Sequence, residues 1–238
     1  AVLDGIRPYF FKSSLVQTGA FHEFMGDITA ILLLLRNNNF RQKIAEKTDG
    51  RLSEASILSS IAQEFGEAVS GNPYLRTALN ELKMSDVAGS DSPHHVSQVL
   101  TGAMFDILLA LSESYIERAI AKKKNKTREE VAKTAFWNAI QRMQRIAIQP
   151  LDLLPPMDVT FKDYALAVLR TQALANPADP YQYYNLIVDA FRKREILDDD
   201  DVTRLKTPGY LYDRMRWDVY HDIENITGSD SGAYRFLD

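Results

Sequence analysis

The sequence predicts an all-α protein, a compact bundle of about seven helices. Apolar residues recur at three- and four-residue spacing along most of the 238 residues, and the period-2 alternation of half-buried strands is not found. No two segments have the patterning of strands joined by a turn. Hydrophobic residues make up 45% of the chain and charged residues 25%, the balance of a globular protein with ample core.

Three helices are predicted in the first half of the chain. Residues 19–36 form a continuous apolar stretch that is too long for a strand and ends at an asparagine run. Residues 53–69 have the apolar periodicity of an amphipathic helix. Residues 84–93 have the composition of a loop, and a long helix follows over residues 94–121. Asp106 lies in this apolar helix, where we predict a buried hydrogen bond.

Helix start signals are clearest in the second half of the chain. Thr127 and Glu130 have the spacing of a capping box and predict the start of one helix. Thr160 is predicted to cap the next, and Asp179 before Pro180 has the N-cap-then-proline pattern of another. Several aromatic residues of this last helix are predicted to be core or interface residues: Tyr181, Tyr183, Tyr184 and Phe191.

The chain is divided into a helical lobe and an extension. We assign residues 1–197 to the lobe and residues 198–238 to an aromatic-rich extension packed on the same domain. The acidic run 198–201 lacks the spaced ligands and turn glycine of a calcium loop, so a solvated turn is expected there. Ala1 opens an apolar segment that has no helix start signal before it. We therefore expect a lobe of a larger protein, beginning within an element.

Charge and residue usage exclude several classes of function. The formal net charge of -4 argues against a nucleic-acid surface, which is normally basic. The chain has no cysteine, so disulfides and thiolate metal sites are excluded, and a cytoplasmic location is slightly favoured. The apolar run 28–35 is far shorter than the ~20 residues that span a bilayer, and it predicts a buried core helix rather than a membrane anchor.

Two carboxylates in the first long helix carry most of the functional information. Glu23 and Asp27 are four residues apart, so both project from one face, which continues as apolar sequence. Like charges at this spacing repel, and burial makes each of them costlier. The pair is tolerable against a metal ion, an arginine or a metal-bound histidine. The alternative is a helix-end pair bonded to loop amides or to a lysine.

A pair of histidines opens the helix that follows the loop. His94 and His95 come directly after Pro93, where the positive end of the helix dipole favours a neutral imidazole. A polar first turn without any function is the simpler explanation for such a pair. Neither the carboxylates nor the histidines identify a function alone.

Together these segments resemble the gluzincins, the thermolysin-like zinc metallopeptidases, in particular a bacterial branch of uncharacterised peptidase-like proteins. In that family a helix carrying HExxH is commonly followed by residues like AVxD, and a later helix carries a Glu ligand with an Asp four positions on. Ala1-Val2-Leu3-Asp4 is similar to the first element, and Glu23 with Asp27 to the second. The resemblance extends to about Ile196, and further matching segments are residues 4–11, 21–23, 155–161 and 189–192.

The resemblance implies a role for each matching residue. Glu23 would be the third protein ligand of zinc, and Asp27 would accept the outer N–H of a zinc-bound histidine. His94 would stabilise the developing oxyanion, and His95 takes that role if the register is off by one. Tyr9 would face a peptide substrate.

The sequence departs from the family at the centre of the mechanism, because HExxH does not occur in it. Two histidine ligands and the general base would have to come from an upstream part of the same polypeptide. The segment alone is therefore expected to be inactive and to bind zinc poorly. The rival interpretation is a non-catalytic helical binding or scaffolding module derived from the same fold.

Overall fold

The computed structural model describes residues 2–52, 78, 80–122 and 125–207. Within these ranges every regular element is a helix and no strand occurs, which confirms the all-α fold. The α-helices are α1 (Val2–Ile6), α2 (Val16–Arg36), α3 (Asn38–Lys47), α4 (Pro93–Lys122), α5 (Arg128–Ile148), α6 (Phe161–Ala175), α7 (Tyr183–Lys193) and α8 (Asp199–Arg204). Short 3₁₀ helices cover Phe10–Lys12, Met84–Val87 and Gln149–Leu153. The predicted helix over residues 53–69 lies outside the described residues.

Helix α4 lies at the centre of the bundle and contacts α2, α5 and α7. It is apolar around most of its circumference, as expected for a helix that is covered on several sides. By length and composition alone, α2 and α4 could each cross a membrane. In the fold, 67% of the most apolar window of α4 and 44% of that of α2 are buried, and core helices of soluble proteins pass the same test.

The asparagine run both ends one helix and starts the next. Helix α2 ends at Arg36, as predicted, and begins at Val16, three residues earlier than predicted. The side chain of Asn37 accepts hydrogen bonds from the backbone N–H groups of Asn39 and Phe40, and it therefore caps α3. The long helix predicted over residues 94–121 is α4, one residue longer at each end.

Two of the three predicted helix starts are confirmed. Thr127 with Glu130 forms a capping box at α5, and the Thr160 side chain caps α6. Asp179 is wrong as the N-cap of the following helix, because α7 begins at Tyr183 and its N-cap is Gln182, at φ 54°. The Asp179 carboxylate nevertheless satisfies one free donor of that helix, since Oδ2 accepts from the backbone N–H of Tyr184 at 2.7 Å.

A buried arginine joins the loop before α4 to the end of α7. Arg194 is 1% exposed and donates from Nε to Oδ2 of Asp106 at 2.9 Å, which confirms the hydrogen bond predicted for that carboxylate. Its terminal nitrogens donate to the side chain and carbonyl of Asn80 and to the carbonyl of Leu82. Gly102 of α4 lies against the guanidinium plane.

The acidic run after α7 starts a short helix, and three of its four residues are exposed while Asp201 is buried. Asp198 and Asp201 form a capping box at α8. Asp201 is 2% exposed, and its carboxylate lies 2.6 Å from Nζ of Lys162 in α6. The expectation of a solvated turn is wrong for Asp201, because the cap and the lysine compensate its burial. Residues 208–238 of the predicted extension lie outside the described part of the chain.

Candidate functional site

Three contacts in succession align the start of α4 with the middle of α2. Gly19 faces the ring of Pro93, Glu23 faces His94, and Asp27 faces Thr101. Because the contacts advance in the same direction along both helices, α2 and α4 run parallel here. Gly19 lets the helices approach, since a Cβ at this position would lie 3.2 Å from Cγ of Pro93.

Glu23 and His94 form the exposed end of this contact. Oε2 of Glu23 lies 2.9 Å from Nδ1 of His94, and the two side chains are 40% and 74% exposed. A neutral imidazole that donates from Nδ1 to the carboxylate leaves Nε2 as an acceptor, and a protonated imidazole makes Nε2 a donor. Nε2 of His94 has no partner among the described residues, so it is available to a ligand.

Asp27 lies one helical turn deeper and is partly desolvated. Burial raises the pKa of Asp27 to about 6, and the charge of Glu23 raises it further, against the lowering effects of Thr101 and His94. The hydroxyl of Thr101, which is 0% exposed, donates to Oδ2 of Asp27 at 3.1 Å. Oδ1 of Asp27 has no partner in the part of the chain that the structure describes.

The surroundings of the two carboxylates bear on the alternative explanations of the pair. Within the described ranges, neither Glu23 nor Asp27 contacts a lysine, an arginine or a loop amide. The side chains that contact them are an imidazole and a hydroxyl. Among the described residues, the pair is therefore not neutralised by a lysine or an arginine, and no loop amide donates to it.

A second histidine lies beside the pair. Nδ1 of His22 is 3.6 Å from Oδ1 of Asp4, a contact that holds α1 against α2. The ring of Phe10 packs edge-on against His22, with 6.2 Å between centroids. Nε2 of His22 is buried and has no hydrogen-bond partner among the described residues. The segment that follows α1 therefore lies next to the Glu23 turn of α2.

The remaining candidates lie in less informative places. His95 is turned towards the preceding loop, where Nδ1 is 3.3 Å from Oγ of Ser90, so His94 and not His95 contacts Glu23. Tyr9 precedes the 3₁₀ helix Phe10–Lys12, and Nζ of Lys12 lies 5.1 Å from the centroid of its ring. The substrate role of Tyr9 stays a prediction.

Sequence reasoning missed Thr101. It lies seven residues after His94, about two helical turns, so both side chains project from the face of α4 that meets α2. A polar residue at this spacing in an otherwise apolar helix is the signal that could have identified it. Threonine is common in helices and gives little indication of function by itself.

The described residues hold only part of a metal site. No group of three or more His, Asp and Glu side chains that could bind a metal ion occurs among them. Glu23 supplies one carboxylate, and the free Oδ1 of Asp27 can accept a hydrogen bond from an additional group. The donor set fits zinc only if further ligands come from elsewhere.

Comparison with protein-family models, with curated proteins and with solved structures finds no match to this chain. The described residues form an all-α bundle, in which two parallel helices meet at a contact that contains two carboxylates and a histidine. That contact is the feature of the fold from which a function can be inferred.

Proposed function

We propose that this chain is the C-terminal helical lobe of a thermolysin-like zinc metallopeptidase, which supplies part of a site completed by an upstream HExxH segment. The single observation that carries the proposal is the meeting of Glu23, Asp27 and His94 at one helix–helix contact, although these residues are separated by up to 71 positions in the sequence. Resemblance to a family supplies the reaction class, and the contact supplies the residues.

Glu23 supports a ligand role because its carboxylate is accessible and its contact with His94 is exchangeable. A carboxylate that is 40% exposed and, among the described residues, paired only with an imidazole can accept a cation without leaving a buried charge unpaired. When bound, zinc would polarise a peptide carbonyl and lower the pKa of its own water towards ~7.

Asp27 supports an orienting role. Thr101 fixes one carboxylate oxygen, and the other is left to accept the outer N–H of an imidazole. A carboxylate that is already held by the scaffold positions such a ring better than a mobile one, because its orientation does not change on binding.

The environment of His94 supports its proposed role, which is to stabilise the oxyanion that develops on the substrate. Its side chain is 74% exposed, and Nε2 has no partner among the residues described. The carboxylate of Glu23 lies 2.9 Å from the other ring nitrogen and orients the ring, and Nε2 can donate to an anionic oxygen when it carries a proton.

The proposal is tested on the full-length parent polypeptide by measuring zinc stoichiometry and peptide hydrolysis. Glu23→Gln is expected to lower zinc occupancy, because an amide is a poorer ligand than a carboxylate. His94→Ala is expected to leave zinc bound and to depress turnover by about 100-fold, the scale of losing one oxyanion donor. His95→Ala is the matched control and is expected to retain turnover.

Each outcome decides between the assignments. If His95→Ala loses turnover and His94→Ala does not, the oxyanion-stabilising role belongs to His95 instead of His94. If both the Glu23 and His94 variants bind zinc and cleave like the parent, the site is wrong. A parent that lacks HExxH before Ala1 and binds no zinc would instead support the helical binding or scaffolding module.

A further inference from the structure

Arginine and tyrosine side chains from α4, α5 and the start of α7 converge near the surface, far along α4 from His94, around the buried ring of Tyr183. This Arg–Tyr cluster consists of Tyr115, Arg118, Arg142, Tyr181 and Tyr183. Cζ of Arg118 lies 3.9 Å from the ring centroid of Tyr181 and 4.4 Å from that of Tyr115. Cζ of Arg142 lies 4.4 Å from the centroid of Tyr183. Each guanidinium therefore stacks on tyrosine faces, as cation–π contacts require.

The two guanidinium groups differ in how many of their donors are used. Nε of Arg118 donates to the carbonyl of Ser114 at 2.9 Å, and a terminal nitrogen donates to the hydroxyl of Tyr183. Within the described ranges, Arg142 donates only from Nε, to the hydroxyl of Tyr115 at 3.2 Å. The terminal nitrogens of Arg142 have no partner among the described residues. Arg118 is held in place, whereas Arg142 presents unused N–H donors.

No carboxylate balances these two charges within the described ranges. Three other arginines have acidic partners, since Arg128 pairs with Glu113, Arg192 with Asp199 and Arg194 with Asp106, whereas Arg7 and Arg41 donate to backbone carbonyls instead. By contrast, Cζ of Arg118 and Cζ of Arg142 both lie within 5.5 Å of the same ring, that of Tyr183, and neither has a carboxylate partner among the described residues. Two like charges this close repel each other, and the ring faces offset only part of that cost.

The positive charge acts on the hydroxyl of Tyr115, whereas burial and the neighbouring hydroxyl of Tyr115 raise the pKa of Tyr183 to about 12, against the lowering effect of Arg118. Burial alone would raise the pKa of Tyr115, but hydrogen bonds from Arg142 and Tyr183 and the charges of both arginines outweigh burial and lower it. A phenol that titrates more easily despite desolvation indicates a locally positive potential. The cluster is thus electrostatically suited to an anion.

We propose that the Arg–Tyr cluster is an oxyanion-binding site that takes a phosphate or carboxylate group. The planar fork of Arg142 matches two oxygens of such a group, and the charge of Arg118 adds to the attraction. The ring of Tyr181, which is 51% exposed, stacks on Arg118 at the exposed side of the cluster. The competing explanation is purely structural, with stacking that holds the segment before α7 against α4.

The test is titration of the chain with sodium phosphate and, separately, with sodium succinate, each compared with sodium chloride at equal ionic strength. Binding is followed by the arginine Nε–H signals in NMR spectra and by calorimetry. We expect saturable shifts of the Arg142 signal with an oxyanion and none with chloride. The stronger of phosphate and succinate identifies the preferred group.

Variants separate binding from structure. Arg142→Gln is expected to weaken oxyanion binding by about tenfold or more, the scale of one charge-assisted hydrogen bond. Arg142→Lys keeps the charge without the fork and is expected to bind with intermediate strength. Arg204→Gln removes an exposed arginine of α8 and is expected to bind like the wild type.

Two results would overturn the proposal. One is a wild-type response to oxyanions that equals the response to chloride. The other is unchanged oxyanion binding by Arg142→Gln, with near-ultraviolet circular dichroism showing native packing. If Arg142→Gln does not fold, the comparison of Arg142→Lys with the wild type decides. Equal affinities for the oxyanion contradict binding by the planar guanidinium of Arg142, and weaker binding by the lysine variant supports it.

Discussion

Helix α4 makes two polar contacts that differ in their hydrogen bonding. One has the bonding expected of a structural contact, and the other leaves atoms available to a ligand. Around Asp106, the guanidinium of Arg194 is 1% exposed and donates to a carboxylate, a side-chain amide and two carbonyls. Around Thr101 and His94, the partners are two carboxylates of α2, and one carboxylate oxygen and one ring nitrogen are left without partners among the described residues. We refer to these as the Arg194 contact and the α2–α4 contact.

The difference lies in whether the protein completes its own hydrogen bonds. A buried charge with every donor satisfied fixes the backbone around it, and it offers nothing to a ligand. A partly exposed contact with unused lone pairs has a smaller effect on stability, and it leaves atoms for another molecule. The two contacts should therefore respond oppositely: mutations at Arg194 should change folding, and mutations at Glu23 or His94 should change binding.

The largest expected effect is that of Arg194→Met. The methionine fills much of the volume but removes the guanidinium donors of Asn80, of the carbonyl of Leu82 and of Asp106, which keeps only Lys193, at 3.4 Å, among the described residues. Breaking a buried charge pair in this way costs ~3–5 kcal/mol. Urea unfolding should show this loss in the free energy of unfolding. The control Arg192→Met, whose exposed partner is Asp199, should change stability little.

The next effect is that of Gly102→Ala. The added Cβ would lie 3.0 Å from Cζ and Nη1 of Arg194, and the hydrogen bonds of the guanidinium prevent it from moving away. Overpacking costs ~1–3 kcal/mol, against a gain of ~1 kcal/mol from helix propensity. We expect net destabilisation in urea. A stabilised Gly102→Ala variant would mean that the Arg194 contact is more adaptable than its hydrogen bonds indicate.

The sequence predicted those parts of the fold that depend on local periodicity and capping. The all-α class, the C-terminal end of α2, the ends of α4 to within one residue and the caps at Thr127 and Thr160 follow from residues within a few positions of one another. The start of α7 was misplaced because Gln182 adopts φ 54°, a backbone conformation that the Asp-Pro pattern does not indicate.

The candidate site was only partly predictable, for the same reason. The spacing of Glu23 and Asp27 places both on one face of a helix, but spacing cannot show which residue of another helix meets them. Thr101 was missed and Arg194 was not suspected, because each acts through a contact between residues 74 or more positions apart. Such pairs depend on the packing of α4 against its neighbours.

The pH dependence of stability tests the α2–α4 contact. The pKa of Asp27 is about 6 in the folded chain and 3.8 for an ordinary carboxyl, so between these values the folded state binds the extra proton. The free energy of unfolding contributed by Asp27 therefore falls as the pH rises through this window. Asp27→Asn cannot titrate, and it should become more stable relative to the wild type between pH ~4 and ~7.

Glu23→Gln provides the control for this pH dependence. It removes a charge that raises the pKa of Asp27, so the window should move to lower pH. Carboxyl ¹³C shifts of Asp27, measured with a chelator present, report the titration directly. A stability difference between Asp27→Asn and the wild type that stays constant with pH would show that Asp27 is better solvated than its burial indicates.

The smallest expected effects are those of Gly26→Ala and Gly19→Ala, which compare the gain in helix propensity with the cost of close helix packing. A Cβ added at Gly26 of α2 would meet no atom within 4 Å, so Gly26→Ala should stabilise the chain by ~0.5–1 kcal/mol. At Gly19 the same gain is opposed by the ring of Pro93 at 3.2 Å. Gly19→Ala should therefore be less stabilising in urea, and it should displace Pro93 and loosen the adjoining Glu23–His94 contact. If the two alanine variants are equally stabilised and the His94 ring resonances are unchanged, then α2 and α4 do not need a glycine at Gly19 to bring these side chains together.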